Sequence, residues 1–220
     1  MPRSFLLLIP LAYLLGSVPF GLLVGKAKGI DPRTAGSGNI GATNLGRLLG
    51  GRYFALVFTL DWLKGFLPMI AAAFIFLHHD LTTREYLLWL LVGFAAIFGH
   101  LFSAFLNFKG GKGVATSCGV MLGLFPYFTI PGLIAAVLWG IIFQIWRYVS
   151  LASIIAACAF PLIYIAVGLA LGWPVFGAQL PLLAFAILIA LMITLRHRGN
   201  ITRLRAGTEN RFARKSRSAS

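Results

Sequence analysis

Acidic side chains are nearly missing from this chain: five Asp or Glu stand against nineteen Lys or Arg in 220 residues. So few carboxylates leave an Asp-assisted catalytic triad poorly supplied, and there is no G-x-S-x-G elbow to hold its nucleophile. No His, Cys, Asp or Glu residues cluster at metal-ligand spacing, so no metal site is expected. Cysteine is equally scarce. Cys118 and Cys158 both fall in apolar stretches and read as buried thiols rather than a disulfide. Charge of any sign is low, at 11% of residues against about 25% in soluble domains. With 59% hydrophobic residues and a mean hydropathy of +0.89, the chain reads as an all-α polytopic membrane protein with no separate soluble domain. The net charge of +14 does not point to nucleic acid, because the cations lie between or after apolar runs, where they set topology and meet anionic lipid.

Seven apolar runs are present, at 5–25, 53–77, 86–107, 113–125, 128–146, 150–171 and 178–195. The first is read as a retained span, since no small-residue cleavage site precedes Lys26. Five of the runs have the ~20 residues that a crossing needs. The stretch 113–146 is too long for one crossing and carries Pro126 and Pro131 near its middle, so it is expected to form two short or tilted helices. Seven crossings put Lys26, Lys28, Arg33, Arg47, Arg52, Lys109, Lys112, Arg147 and the basic run from Arg196 onward on one face, leaving Arg3 and Arg84 on the other. By the positive-inside rule the rich face is cytoplasmic, with the N-terminus outside and the C-terminus inside. Residues 1–210 are expected to form one membrane-embedded domain, and 211–220 a basic, disordered tail on the lipid surface. His78, His79 and Asp80 read as a solvated loop on the opposite face.

Three polar motifs share the cationic face. The first is Gly36-Ser37-Gly38-Asn39-Ile40-Gly41-Ala42-Thr43-Asn44. Its glycines match G-x-G-x-x-G, but no strand precedes them and Asp61 lies within a span, so a dinucleotide fold is rejected. If a short helix begins near Gly41, Asn44 and Arg47 share a face and can point at one ligand, with Ser37 and Asn39 in the loop before them. The second motif is Lys109-Gly110-Gly111-Lys112-Gly113-Val114-Ala115-Thr116. It lacks the first glycine and the Ser/Thr of a Walker A loop, so ATP hydrolysis is not expected. It reads as a glycine turn opening a helix, in which the N–H groups of Gly110, Gly111 and Gly113, the Lys112 ammonium and Thr116 form an anion site. The third is His197-Arg198-Gly199-Asn200, where histidine can accept a proton or orient an oxygen. Asp61 and Lys64, three apart in the second run, read as an ion pair that locks helix packing or as a polar wall of the site. His100 reads as structural, and Ser150 as a helix cap or a substrate contact.

In order, residues 31–44, 61–65, 99–116 and 197–209 resemble the bacterial acyl-phosphate:glycerol-3-phosphate acyltransferases, the PlsY family. One departure is Ser103-Ala104, where that family often carries proline. The resemblance implies seven membrane helices in the bacterial inner membrane and an active site facing the cytoplasm. It implies transfer of a fatty acyl group from acyl phosphate to the sn-1 hydroxyl of glycerol 3-phosphate, giving lysophosphatidate and inorganic phosphate for phospholipid synthesis. No cofactor and no obligate protein partner are implied; the partners are the two substrates and the bilayer. By the same resemblance Ser37, Arg47, Lys112, Ser150, His197 and Asn200 match substrate-contacting or catalytic positions. On physical grounds Arg47 and Lys112 suit phosphate oxygens, and His197 and Asn200 suit the glycerol hydroxyl or the acyl carbonyl. Either His197 or the acyl phosphate itself can take the proton. A small transporter of a phosphate ester is the alternative, but it calls for polar residues at mid-membrane, whereas here they crowd one face.

Overall fold

The computed structural model describes residues 3–76 and 81–212. Among them every regular element is helical: α1 (Arg3–Ser17), α2 (Phe20–Ala27), α3 (Ala42–Leu49), α4 (Gly51–Phe76), α5 (Thr83–Leu101), α6 (Val114–Gly123), α7 (Thr129–Trp146), α8 (Val149–Ala170), α9 (Leu180–Arg196) and α10 (Arg198–Arg205), with a 3-10 turn at Ala104–Leu106. The start of α5 follows directly from sequence. Thr82 and Glu85 make a reciprocal capping box, in which Glu85 Oε2 accepts from the Thr82 N–H at 2.9 Å. The His78-His79-Asp80 loop and residues 213–220 of the basic tail lie outside the described residues.

Each apolar run became helix, but not each helix is long and apolar enough by itself to span. Five stretches are long and apolar enough to span: Leu6–Ala27, Gly51–Ile75, Thr83–Leu106, Thr129–Trp146 and Val149–Ala170. A sixth arises if α9 and α10, bent by 58°, count as one. The helix α6 has ten residues, a length of about 15 Å against a hydrocarbon core of about 30 Å. The expected division of 113–146 is present, with the break falling at residues 124–128 between α6 and α7.

α6 is held by α4. A Cβ on Gly65 would sit 2.1 Å from the Thr116 carbonyl oxygen, and one on Gly119 would sit 2.0 Å from that of Trp62. The two backbones therefore touch, which suits lipid, where apolar side chains alone give no drive for helices to associate. α1 packs along α5, α7 along α8, and α8 along α9. Phe128 sits at the centre with its ring edge-to-face against Phe160 and Tyr164. The outer surface stays apolar, with Phe74, Val137, Leu162 and Leu195 exposed.

One end of α1 needs help from another helix. Pro19 breaks the first run, and the freed carbonyls of Gly16 and Val18 accept from Lys64 Nζ at 3.2 and 2.7 Å. Lys64 also pairs with Asp61 at 2.8 Å and lies 3.3 Å from His100 Nδ1. A cation at a helix C-terminus is favourable, so the Asp61–Lys64 pair ties α1, α4 and α5 together.

Candidate functional site

The first motif is a loop organised by one side chain. Asn44 Oδ1 accepts from the Ser37 N–H at 2.9 Å, and Asn44 Nδ2 donates to the carbonyls of Pro32, Ala35 and Asn39. Gly36 has φ +61, and a Cβ there would lie 2.3 Å from Asn44 Oδ1, so glycine is required twice over. Asn39 Oδ1 accepts from the Gly41 N–H at 2.9 Å and closes the turn into α3. The expected face shared by Asn44 and Arg47 thus divides in use. Asn44 spends its amide on the loop, whereas Arg47 keeps a buried Nε without a partner. Arg47 Nη2 donates to the Asn210 carbonyl at 2.9 Å, and its guanidinium lies 5.7 Å from the Phe212 ring centre.

The second motif corrects an expectation. The N–H groups of Gly110 and Gly111 are not free for an anion: they donate to the carbonyls of Leu101 and His100, at 3.1 and 3.0 Å, at the end of α5. The carbonyls of the same loop are held from the other side by Arg196, whose Nη2 reaches Gly110 O at 2.9 Å and Gly111 O at 2.8 Å. A Cβ on Gly111 would lie 2.2 Å from His100 Nε2, so the loop lies flat on that ring. Gly113, with φ 82, turns the chain into α6 and caps it. The N–H groups of the first turn of α6 remain without intrahelical partners, as at every helix start. Thr116 is fully buried against α4 and does not line the cavity described below.

The third motif connects to the second. Lys112 Nζ donates to Asn200 Oδ1. Asn200 Nδ2 donates to Glu209 Oε1 at 2.6 Å, which also accepts from Ser150 Oγ at 2.9 Å, while Glu209 Oε2 accepts from Arg203 Nε at 2.8 Å. These partners fix the amide orientation of Asn200, oxygen toward the lysine and nitrogen toward the carboxylate. His197, just past the end of α9, donates from Nδ1 to the Ile193 carbonyl at 2.8 Å. A carbonyl can only accept, so the proton is on Nδ1 and Nε2 is left as the acceptor.

Burial and mutual repulsion shape the charges. Burial, with help from Lys112, pushes the His197 imidazole down to about 4, so it is neutral at physiological pH. Burial also pushes the Lys112 ammonium down to about 8, with Glu209 opposing and Arg203, Arg47 and Arg196 adding to the effect. Burial works against the Glu209 charge, but hydrogen bonds from Asn200, Ser150 and Arg203 hold the carboxyl below its ordinary value.

All three motifs meet at one cavity of about 360 Å³. Ser37, Asn39, Asn44, Arg47, Lys112, Gly113, Ser150, His197 and Asn200 line its polar mouth, and Met121, Ala135, Trp139, Phe160 and Ile189 line its apolar depth. Gly110, Gly111 and Thr116 lie behind that wall rather than in it. Glu209, His100 and Ser117, which sequence reasoning did not place in the site, also line it, as does Asp61, for which a polar wall of the site was one of two readings. Glu209 had a usable signal, because it is the one carboxylate after the last apolar run of a chain that has five. Ser117 had none. Among the described residues no group of three or more His, Cys, Asp or Glu could hold a metal ion.

Comparison with known proteins bears on this geometry. The sequence model of the glycerol-3-phosphate acyltransferase family matches residues 6–207. A glycerol-3-phosphate acyltransferase of Trichlorobacter lovleyi is 46% identical over 202 residues, covering 91% of this chain and 94% of its own. Two crystal structures of PlsY, an integral membrane glycerol 3-phosphate acyltransferase, are each 42% identical and cover 96% of both chains. One is the glycerol 3-phosphate form, with a TM-score of 0.81, and the other the lysophosphatidic acid form, with a TM-score of 0.79.

Proposed function

Since the chain belongs to the glycerol-3-phosphate acyltransferase family, we propose that its acyl donor is acyl phosphate and that its products are lysophosphatidate and inorganic phosphate. The observation that carries this reading is the shape of the cavity. A mouth bearing Arg47 and Lys112 opens directly onto an apolar cleft between α6, α7, α8 and α9. Such a cleft fits an acyl chain, and such a mouth fits two phosphate groups. The solved relatives with glycerol 3-phosphate and with lysophosphatidic acid support the acceptor and the product.

In the proposed reaction the sn-1 hydroxyl oxygen bonds to the acyl carbonyl carbon. The bond from that carbon to the phosphate oxygen breaks, and phosphate leaves with the electron pair. The mixed anhydride therefore brings its own leaving group. Arg47 and Lys112 hold phosphate oxygens, with Ser37 and the first-turn N–H groups of α6 completing the cradle. Asn44 and Asn39 shape the loop that presents Ser37, and Gly110 and Gly111 shape the turn that presents Lys112. Ser150 and Asn200 act through Glu209, which orients both. His197 Nε2 accepts the glycerol hydroxyl and positions it. An imidazole held near 4 is a weak base, so the proton passes to the departing phosphate.

The same reading places the motifs on the cytoplasmic face of the bacterial inner membrane. The chain crosses seven times, α6 being a short crossing supported by α4, with the N-terminus outside. Residues 1–210 form the catalytic unit and 211–220 a basic tail on the lipid surface. Arg211 and Phe212 are already docked, through Tyr148 Oη at 2.9 Å and the Arg147 carbonyl at 3.0 Å.

The test is direct. Purified protein in detergent is given glycerol 3-phosphate and either palmitoyl phosphate or palmitoyl-coenzyme A, and both phosphate release and lysophosphatidate are measured. Phosphate and lysophosphatidate should appear in equal amounts with palmitoyl phosphate alone. Turnover with the thioester only would overturn the donor assignment.

A further inference from the structure

The first turns of α6 run inward from the cationic mouth. Gly113, Ser117 and Met121 recur at intervals of four, so they share one face of the helix. All three line the cavity. Gly113 stands beside Lys112 at the mouth, and Met121 stands among the apolar residues Ala135, Phe160 and Ile189. Ser117 lies between the two zones. Its side chain is 1% exposed, and its Oγ has no hydrogen-bond partner among the described residues. A serine inside a helix usually returns its hydroxyl to the carbonyl one turn back. Here Gly113 O accepts the Ser117 N–H at 2.8 Å and the hydroxyl is left over. Buried hydroxyls are rarely left in that state without a reason. Thr116 Oγ1 is also unpartnered, but it does not line the cavity, and its own carbonyl packs on Gly65 of α4.

We infer that the Ser117 hydroxyl donates a hydrogen bond to the carbonyl oxygen of the acyl donor. This rests on the acyl-phosphate reading above. A molecule whose phosphate meets Arg47 and Lys112, and whose chain lies along Met121, Phe160 and Ile189, must carry its carbonyl across the boundary between those zones, at the depth of Ser117. As the sn-1 oxygen bonds to the carbonyl carbon, the carbonyl π pair moves onto oxygen, where the Ser117 O–H holds it. The pair returns as the bond to phosphate breaks, and the proton leaves with the phosphate. Ser117 is neither acylated nor deprotonated. Its hydroxyl is placed where negative charge develops, at the edge of an apolar cleft, where a fixed donor counts for more than in water.

The experiment is Ser117→Ala in the full chain, assayed with palmitoyl phosphate and glycerol 3-phosphate, with a thermal melt in detergent. The expected result is a fall in kcat/KM for palmitoyl phosphate of about a hundredfold. KM for glycerol 3-phosphate should be unchanged and the melting temperature no lower than wild type, since the alanine removes an unpaired buried polar group. A merely structural serine would lower the melting temperature and disturb both substrates together, and either result overturns the inference. So does a kcat/KM for palmitoyl phosphate that matches wild type. Wild-type protein that uses only the thioester would instead sink the donor reading, which is a different and separately visible failure.

Discussion

Replacing Lys112 by alanine is the most informative single change to the site. Its ammonium is the cation closest to the start of α6, and its one protein partner among the described residues is Asn200 Oδ1. The two remaining N–H donors are available to a phosphate. A charge-assisted hydrogen bond contributes about 1.5–3 kcal/mol. Since ~1.4 kcal/mol is tenfold in rate, losing one such contact costs about 10- to 150-fold, and losing two in a closed site costs more. Lys112→Ala is therefore expected to reduce phosphate release at least a hundredfold without harming the fold. Stability should not suffer, because burial holds the ammonium at about 8, below its ordinary 10.5. Between those values the unfolded chain binds a proton that the folded one does not, so the buried ammonium opposes folding at neutral pH. The same shift predicts a pH limb. As pH rises through about 8 the free enzyme loses the cation, and kcat/KM for glycerol 3-phosphate should fall by about tenfold per pH unit beyond it. The assay is phosphate release against pH for wild type, Lys112→Ala and Lys112→Arg, with a melt for each. Arginine keeps its charge at every pH used, so its residual activity should lack the limb. Wild-type turnover in Lys112→Ala at saturating substrates would refute the assignment and leave the lysine as an anchor of the turn.

Three other outcomes follow from the same geometry. Glu209→Gln removes the charge that Arg203 pairs with while keeping an acceptor for Asn200 and Ser150; it should lower stability by about 1.5–3 kcal/mol and turnover with it, and an unchanged melting curve would show that the carboxylate organises nothing. His197→Gln should keep a measurable fraction of turnover, and the wild-type rate should stay level from about pH 7 to 6, below the Lys112 limb, because the imidazole titrates near 4; a properly folded Gln variant with normal substrate affinity and no turnover would make His197 the base. The low value also predicts a melting temperature that falls as pH is lowered from 6.5 toward 4, where the unfolded chain takes up the proton first. Single cysteines at Thr34, Lys109 and Thr208 in a cysteine-free background should resist an impermeant thiol reagent in intact cells and react after lysis; labelling of position 208 alone would break the seven-crossing topology.

The helices were legible because they answer to rules that need only local sequence. Proline positions divided the long run 113–146, and apolar length marked the long helices. The site was legible as an inventory of residue types, since glycine, lysine, asparagine and histidine on one face of an apolar chain have few other uses. How those residues divide their hydrogen bonds was not legible. Asn44 and Arg47 share a helical face in any reading, yet only the folded loop shows that Asn44 is spent on Ser37, Pro32, Ala35 and Asn39. Gly110 and Gly111 look like anion ligands until the end of α5 takes their N–H groups and Arg196 takes their carbonyls. Those partners are about 10 and 86 residues away, and no spacing rule reaches the second. Ser117 was invisible for the opposite reason: its significance is a bond it does not make.

These divisions account for the charge balance of the site. Arg47, Lys112, Arg196 and Arg203 converge around Glu209, the other carboxylate of the cavity wall, Asp61, being paired with Lys64. Arg196 is used up by the glycine turn and Arg203 by Glu209. What remains uncompensated is Arg47, with its unpartnered Nε, and Lys112, with its depressed affinity for a proton. Both are penalised by burial in the free protein, and both would recover that penalty on meeting a phosphate. A second carboxylate near the mouth would pair with them and relieve the strain, and it would also compete with the substrate. Under the proposed function, the scarcity of acidic residues is then part of how the site works. The positive charge is left unpaired on one wall of an apolar cleft, and a phosphate bound there would complete the pairing that the fold omits.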